Sequence, residues 1–260
     1  MKNSTLVYLI FATLISVHAP AAPAKKTKST QGTHKAHMIP APQKVVWDAW
    51  YTVTILPKTP YGYYNDRVEQ LDGKLAYKNR FWKSEEGFIN EEALASFAED
   101  PTLKPAFFNF HSQFRSTETM IDGNVQGKNQ LNVSVRQGET SKPPIKRMIP
   151  KGVFLSAFFP LWLKENSKTM KVGETKTFST ILEDNIDDNF ETKSGTVRLE
   201  AQDDFAKANL AKKFKVSRSG EDSTWYVNDA GMPLKILMTS QKVVVEKTTQ
   251  KDAEKFLKSP

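Results

Sequence analysis

The sequence predicts a mainly β protein, an α+β fold in which a curved, meandering antiparallel sheet or half-barrel packs against two or three helices. Three observations predict it. Apolar and polar residues alternate with a period of two through most of the chain, turn residues separate the alternating segments, and apolar segments with a helical period are few. We expect about ten strands, joined by short turns into one domain.

Composition excludes several classes of protein. The chain has 260 residues, of which 39% are hydrophobic and 25% charged, so it fits neither a multi-span membrane protein nor a wholly disordered chain. It contains no cysteine, which rules out disulfides, thiolate metal sites and cysteine nucleophiles. The net charge of +8 comes from lysines scattered among acidic residues, so we expect no nucleic-acid partner.

The first residues have the layout of a secretory signal peptide. Lys2 precedes an apolar run at residues 6–17, and small residues follow at 19–24. We expect residues 1–24 to be the signal peptide, with cleavage after Ala21 or Ala24 and a periplasmic or secreted mature protein. The apolar run is shorter than the roughly 20 residues of a membrane-spanning helix, although an uncleaved anchor remains the alternative. After cleavage, the protein should not be an integral membrane protein.

The remaining chain divides into a flexible basic linker at residues 25–43 and a single β-rich domain at residues 44–260. The first strand of the domain places alternate side chains on one face: Trp47, Ala49, Tyr51, Val53 and Ile55. Asp72-Gly73 joins two further alternating segments and predicts a hairpin, because both residues tolerate positive φ. A second hairpin is expected at residues 228–231.

Residues 90–99 predict a helix in the first half of the domain. Asn90 can cap it, two glutamates follow in its first turn, and Leu94 and Phe97 form an apolar stripe. Asp100-Pro101 ends it.

Residues 153–163 are the most apolar stretch of the domain and supply most of the candidate ligand-binding residues. These are Phe154, Phe158, Phe159 and Trp162. The segment could be the wall or lid of an apolar pocket, a hairpin that touches a membrane, or a central helix buried against the sheet, and Pro160 should kink a helix here. Trp50 is the fifth candidate, because it lies on the more polar face of its strand and could be exposed for binding.

Catalytic, metal and cofactor sites are not expected. His111 is the histidine available to the folded region, and no nucleophile motif surrounds it. Pairs of adjacent carboxylates occur in polar, turn-like sequence, which gives no apolar setting that would raise the pKa of a general acid. The acidic segment 183–189 lacks the ligand spacing of an EF-hand and is expected to be a solvated hairpin tip. We therefore predict that the protein is not an enzyme and binds no metal or cofactor.

Several short motifs in the second half of the chain suggest a family. They are Lys171-Val172-Gly173-Glu174, Gly195-Thr196-Val197, Ser223-Thr224-Trp225-Tyr226-Val227-Asn228, Gly231 and Pro233-Leu234-Lys235. With these motifs the chain resembles a poorly characterised family of Gram-negative periplasmic β-sheet proteins of unknown function. The architecture of that family is similar to that of lipoprotein carriers, in which helices close a curved antiparallel sheet around an apolar cavity. The resemblance implies a hydrophobic ligand by analogy of fold.

Two functions follow as expectations, and a hydrolase that uses His111 or an unrecognised carboxylate pair is a third, less favoured alternative. The first is a non-enzymatic periplasmic protein that binds a lipid or another hydrophobic or envelope-derived ligand. The alternative is an interaction module without a small-molecule ligand, which binds another envelope protein or the cell wall through an exposed aromatic face or a sheet edge.

Overall fold

The computed structural model of the protein describes residues 44–85, 87–127 and 129–257. The predicted signal peptide and linker lie outside the described residues. The described residues form one open, curved sheet of sixteen strands with three α-helices, so the predicted fold class is confirmed, although about ten strands were expected.

The first half of the sheet is a meander of long strands. They are β1 (Lys44–Ile55), β2 (Thr59–Leu71), β3 (Lys74–Glu85), β4 (Phe88–Glu99), β5 (Lys104–Phe114), β6 (Thr117–Gln126) and β7 (Gln130–Gln137). Two short strands, β8 (Thr140–Ser141) and β9 (Ile145–Met148), both pair with β7. The second of these lies between Pro144 and Pro150.

The second half of the chain adds shorter strands on the other side of β1. Its elements are β10 (Phe154–Leu155), a 3-10 helix (Ser156–Phe158), α1 (Phe159–Ser167), β11 (Thr175–Ile181), β12 (Lys193–Glu200), α2 (Asp204–Ala208), β13 (Lys212–Arg218), β14 (Glu221–Val227), β15 (Pro233–Met238), β16 (Val243–Thr248) and α3 (Gln250–Phe256). Strand β16 pairs antiparallel with β1 and so joins the two halves. Strands β10 and β11 are parallel, whereas the other described pairs are antiparallel.

The period of two decides which side chains face the core. Trp47, Ala49, Tyr51 and Val53 of β1 are buried, as their alternation predicted. The Asp72-Gly73 hairpin is also confirmed: Gly73 has φ +61°, and the strands on either side pair in the register that this turn dictates.

The helix predicted at residues 90–99 is wrong, because these residues form strand β4. Helix-forming residues are pulled into the sheet by backbone pairing with β3 on one side and β5 on the other. The inward positions of β4 include Asn90, Glu92 and Ser96, and these polar residues hide the period of two. Glu92 is tolerated inside because Lys83 Nζ lies 2.6 Å from its Oε1.

The apolar segment 153–163 lies inside the curve of the sheet. It forms β10, the 3-10 helix and the first part of α1, and most of its side chains are buried. Pro160 occupies the first turn of α1, where its missing N–H costs nothing, so the predicted kink is absent. Within the described ranges, no helix combines the length and apolar character needed to cross a lipid bilayer.

A close approach between β5 and β6 gives a test of this packing. Gly123 of β6 faces Phe108 of β5, and a Cβ at Gly123 would overlap the buried Phe108 ring. We expect Gly123→Ala to lower the free energy of unfolding by about 1–3 kcal/mol, because the ring has no space to move. Urea denaturation measures this change.

The same substitution in a Phe108→Leu background provides the control. If ring overlap is the cause, Gly123→Ala costs less there, since fewer ring atoms oppose the added methyl group. An equal cost in both backgrounds would contradict the explanation.

Candidate functional site

A cavity of about 70 Å³ lies between the inner face of the sheet and the segment that begins α1. One wall comes from β2, β3 and β4, and the opposite wall comes from β13, β14 and β15. The end of the 3-10 helix and the start of α1 cover it, with Ala157, Phe159 and Pro160 on its surface. The cavity is therefore lined by parts of the chain that are far apart in sequence.

Aromatic rings form much of the apolar surface of the cavity. Phe159 of α1 lies with its ring centroid 4.7 Å from that of Phe178 in β11 and 5.2 Å from that of Trp225 in β14. The Trp225 ring meets Phe159 edge to face, with an interplanar angle of 80°. These contacts seat the start of α1 on the sheet and hold the three rings at the cavity surface.

A buried carboxylate, Asp66 of β2, lies on the other wall. Its Oδ1 accepts hydrogen bonds from the Tyr77 hydroxyl at 2.7 Å and from Asn79 Nδ2 at 2.5 Å, both on the adjacent strand. The residue is 6% exposed. Burial raises the pKa of Asp66 to about 6, and the hydrogen bonds from Tyr77 and Asn79 oppose the shift.

Three tyrosines surround this carboxylate on the inner face. Tyr51 and Tyr64 stack with centroids 4.7 Å apart, and Tyr77 contacts the Phe158 ring at 6.4 Å. Burial raises the pKa of each tyrosine well above its ordinary value, and the charge of Asp66 adds to the effect. All three phenols are therefore neutral hydroxyl groups, able to donate as well as accept hydrogen bonds.

Glu183, which follows β11, holds the covering segment against the sheet. Its carboxylate accepts hydrogen bonds from Ser96 Oγ of β4 at 3.0 Å, from Ser156 Oγ at 2.6 Å and from the backbone N–H of Ala157 at 3.2 Å. Burial raises the pKa of Glu183, and these hydrogen bonds oppose the rise. The residue lies in the acidic segment that was predicted to be a solvated hairpin tip; that prediction is wrong for Glu183, Asp184 and Asn185, which are buried.

Arg218, at the end of β13, lines the cavity from the second half of the sheet. Burial lowers the pKa of its guanidinium, whereas the nearby carboxylates of Glu183, Asp184 and Glu221 raise it. The residue is half-buried and adjoins the exposed turn at Ser219, so this end of the cavity approaches the protein surface.

The structure brings four of the five predicted ligand-binding residues together inside the sheet. Phe154, Phe159 and Trp162 form one aromatic cluster with ring centroids 5.9–6.5 Å apart, and Phe158 is fully buried against Tyr77. Of these four, Phe159 lines the cavity. Phe154, Phe158 and Trp162 do not line it; Phe154 and Trp162 pack against the Phe159 ring.

Trp50, the fifth predicted residue, lies apart from the cavity on the outer face of the sheet. Its ring centroid lies 5.9 Å from that of Trp82 and 6.4 Å from that of Tyr63, and the rings are stacked. Helix α3 packs against β1 and β2, the strands that carry Trp50 and Tyr63. Arg80 sits over the Trp82 ring at 5.3 Å. We call Trp50, Tyr63 and Trp82 the outer aromatic row.

Asp66 and Arg218 were missed by sequence reasoning. Carboxylates were sought as adjacent pairs in polar sequence, whereas Asp66 stands alone between the inward-facing Tyr64 and Val68. Asp66 lies in an apolar setting of this kind, outside the adjacent pairs that were considered. The signal was present in the alternation, because an aspartate on the apolar face of a strand must enter the core.

The remaining candidates lie elsewhere. His111 is on the outer face, where its Nε2 lies 3.0 Å from Glu118, and the neighbouring Ser112 points to the other side of the sheet. Among the described residues, no three His, Asp or Glu side chains come together in an arrangement that could hold a metal ion.

Comparisons with known proteins identify the fold. No family model matches the chain, and no curated protein matches it. It is similar to a crystal structure described as a beta-barrel-like protein of the domain of unknown function DUF1849 from Brucella abortus, with a TM-score of 0.52 and 10% identity over 77% of this chain and 94% of that one. A DUF1089 family protein from Pseudomonas aeruginosa aligns over 79% of this chain and 95% of its own, at 11% identity and a TM-score of 0.37. The first similarity shows a shared fold with a domain whose function is unknown.

The buried carboxylate predicts a pH-dependent stability. Because folding raises the pKa of Asp66 from its ordinary 3.8 to about 6, folding favours the protonated form, and stability falls as the pH rises from about 4 through about 6. Asp66→Asn keeps an acceptor for Tyr77 and Asn79 but cannot ionise. We expect the difference in unfolding free energy, variant minus wild type, to increase by about 3 kcal/mol between pH 4 and pH 8.

Chemical denaturation at several pH values tests this, with Asp72→Asn as the matched control. Asp72 is an exposed carboxylate in the turn of the same hairpin, and asparagine suits that turn equally well. A difference that stays constant with pH for Asp66→Asn, or that changes equally for Asp72→Asn, would contradict the assignment.

Proposed function

We propose that the protein is a non-enzymatic binding protein of the bacterial cell envelope, which holds a small ligand of hydrophobic character between its curved sheet and the start of α1. The observation that supports this most strongly is the cavity. A concave site with apolar and aromatic walls and a few convergent polar groups is the usual form of a small-molecule binding site. Here the rings of Phe159, Phe178 and Trp225 supply the apolar walls, and Asp66, Arg218 and Ser156 supply the polar groups.

The volume of the cavity limits the ligand. A cavity of about 70 Å³ has room for roughly five water molecules, since each needs about 10–15 Å³ by this measure. That space suits a short alkyl or similar group, whereas a lipid with two acyl chains would require the covering segment to move away. The resemblance to lipoprotein carriers suggested a lipid. The cavity volume restricts the proposed ligand to a small molecule or to one end of a larger one.

The envelope location and the absence of catalysis are parts of the same proposal. The predicted signal peptide supports export to the periplasm. The placement of His111 on the outer face, away from the cavity, supports a binding role. Among the described residues that line the cavity there is no histidine, the side chain that general acid–base sites use most often.

The outer aromatic row favours a second candidate, an interaction module for another envelope protein or the cell wall. Its three rings are half-exposed on the outer face, which is the kind of surface that protein and glycan partners contact. The pairing of Arg80 with Glu91 beside the row would give such a contact polar groups at its rim.

Filling the cavity tests the first candidate. Ala157 lines the cavity. It donates its hydrogen bond to Glu183 from the backbone N–H, which a substitution keeps. We expect Ala157→Leu to weaken the binding of benzene and of butanol at least tenfold, because the added side chain occupies their space. Ligand-observed NMR measures both affinities.

Ala95→Leu is the control, since it adds the same atoms on the outer face of β4. Native mass spectrometry of protein purified from periplasm then identifies any natural ligand. If the wild-type protein binds neither probe, or if both leucine variants bind as the wild type does, the cavity is not a binding site.

A further inference from the structure

The charge of Asp66 has no counter-charge within the described part of the chain. Both of its hydrogen bonds come from neutral groups, the Tyr77 hydroxyl and the Asn79 amide, and both end on Oδ1. No described basic side chain forms an ion pair with it, and none contributes to the shift of its pKa. A buried carboxylate in this situation pays a large desolvation penalty when it ionises, unless a cation is brought to it.

Arg218 lines the same cavity, but its guanidinium interacts with carboxylates other than Asp66. Glu183, Asp184 and Glu221 are the groups whose charges act on its guanidinium. Three carboxylates thus act on the Arg218 guanidinium, and Asp66 adds a fourth carboxylate on the opposite wall of the cavity. The electrostatic balance of the described interior favours a positive ligand over a negative one.

The aromatic rings that line the cavity also favour a positively charged ligand. Tyr64, Tyr77, Phe159 and Trp225 surround the space next to Asp66, and the face of an aromatic ring attracts a cation placed within about 6 Å. A carboxylate combined with several ring faces in a desolvated cavity is a common way to bind an organic ammonium group. The neutral tyrosine hydroxyls can also accept hydrogen bonds from its N–H groups.

We propose that the ligand of the cavity is an organic ammonium compound, whose charged head is bound by Asp66 and whose apolar part lies against Phe159, Phe178 and Trp225. This inference rests on the proposed function, because it names the ligand class of the same site. It assigns Asp66 as the residue that selects the charge of the ligand.

Binding of such a ligand depends on pH through the groups that face Asp66. These are Tyr51 of β1, Tyr64 of β2, Tyr77 of β3 and, on the opposite wall of the cavity, Arg218. The charge of Glu183 acts on Tyr77 as well. The tyrosines stay neutral and Arg218 stays charged at ordinary pH. Burial raises the pKa of Asp66 to about 6, so the ionisation of Asp66 changes near neutrality. As the pH rises and Asp66 ionises, affinity for an ammonium ligand increases.

The experiment compares three probes that share one butyl chain: butylammonium, valerate and butanol. Their affinities for the wild-type protein and for Asp66→Asn are measured by ligand-observed NMR at pH 5 and pH 8. For the wild type at pH 8 we expect butylammonium to bind at least tenfold more tightly than valerate, and at least several-fold more tightly than at pH 5. For Asp66→Asn we expect the preference for butylammonium and its pH dependence to disappear while butanol still binds.

Asp72→Asn again serves as the control and should bind all three probes as the wild type does. If valerate binds as tightly as butylammonium or more tightly, Arg218 sets the charge preference and the inference is wrong. The inference also fails if Asp66→Asn keeps the preference for butylammonium. If none of the three probes binds to the wild type, the proposed function itself fails, and this outcome is distinct because the charge of the probe then makes no difference.

Discussion

The shape of this protein depends on one buried carboxylate, that of Glu183. Its three hydrogen bonds connect a strand from the first half of the sheet, the short 3-10 helix and the loop that follows β11. An open sheet has no covalent or ladder constraint that brings its distant strands together. A fully buried acceptor that is satisfied only when these three segments meet supplies such a constraint, because each lost bond leaves a buried polar group without its partner. These hydrogen bonds fix the segment that leads into α1, and so they set the position of α1 on the sheet and the shape of the cavity.

Other contacts reinforce the same closure where the two edges of the sheet approach each other. Arg147 of β9 donates a hydrogen bond to the backbone carbonyl of Asn189 at 2.6 Å and lies 3.3 Å from Glu191. Phe190 of the same loop packs its ring against Phe108 at 6.0 Å. These contacts are exposed or apolar, so they give less directional specificity than the buried carboxylate. The loop at residues 182–191 therefore contacts both the inner face of the sheet, through Glu183 and Phe190, and the edge strand β9, through Asn189 and Glu191.

The sheet could be predicted from the sequence wherever one strand face is apolar and the turn is short. Strand β1 and the hairpin at Asp72-Gly73 are of this kind, and the turn even sets the register that places Asp66 opposite Asn79. The polar pair at the core could therefore be read from the sequence once that register is applied. Strand β4 could not, because its inward positions carry polar residues whose partners come from other strands. The position of Arg218 on the cavity wall could not be predicted either. It results from the curvature of the whole sheet and from contacts between residues far apart along the chain.

The position of β1 in the strand order has a consequence for how the chain acquires its structure. Strands β1 to β7 pair with their neighbours in sequence and can form early as a meander, but the other side of β1 is completed by β16, near the end of the described chain. Tyr51 of β1 likewise finds its hydroxyl acceptor at Pro233, 182 residues further on. A chain that leaves a ribosome or a translocation channel amino terminus first therefore presents the central edge of its sheet unpaired until almost all of it has emerged. For such a topology, keeping that edge from pairing with other chains until β16 has formed becomes part of what the fold requires.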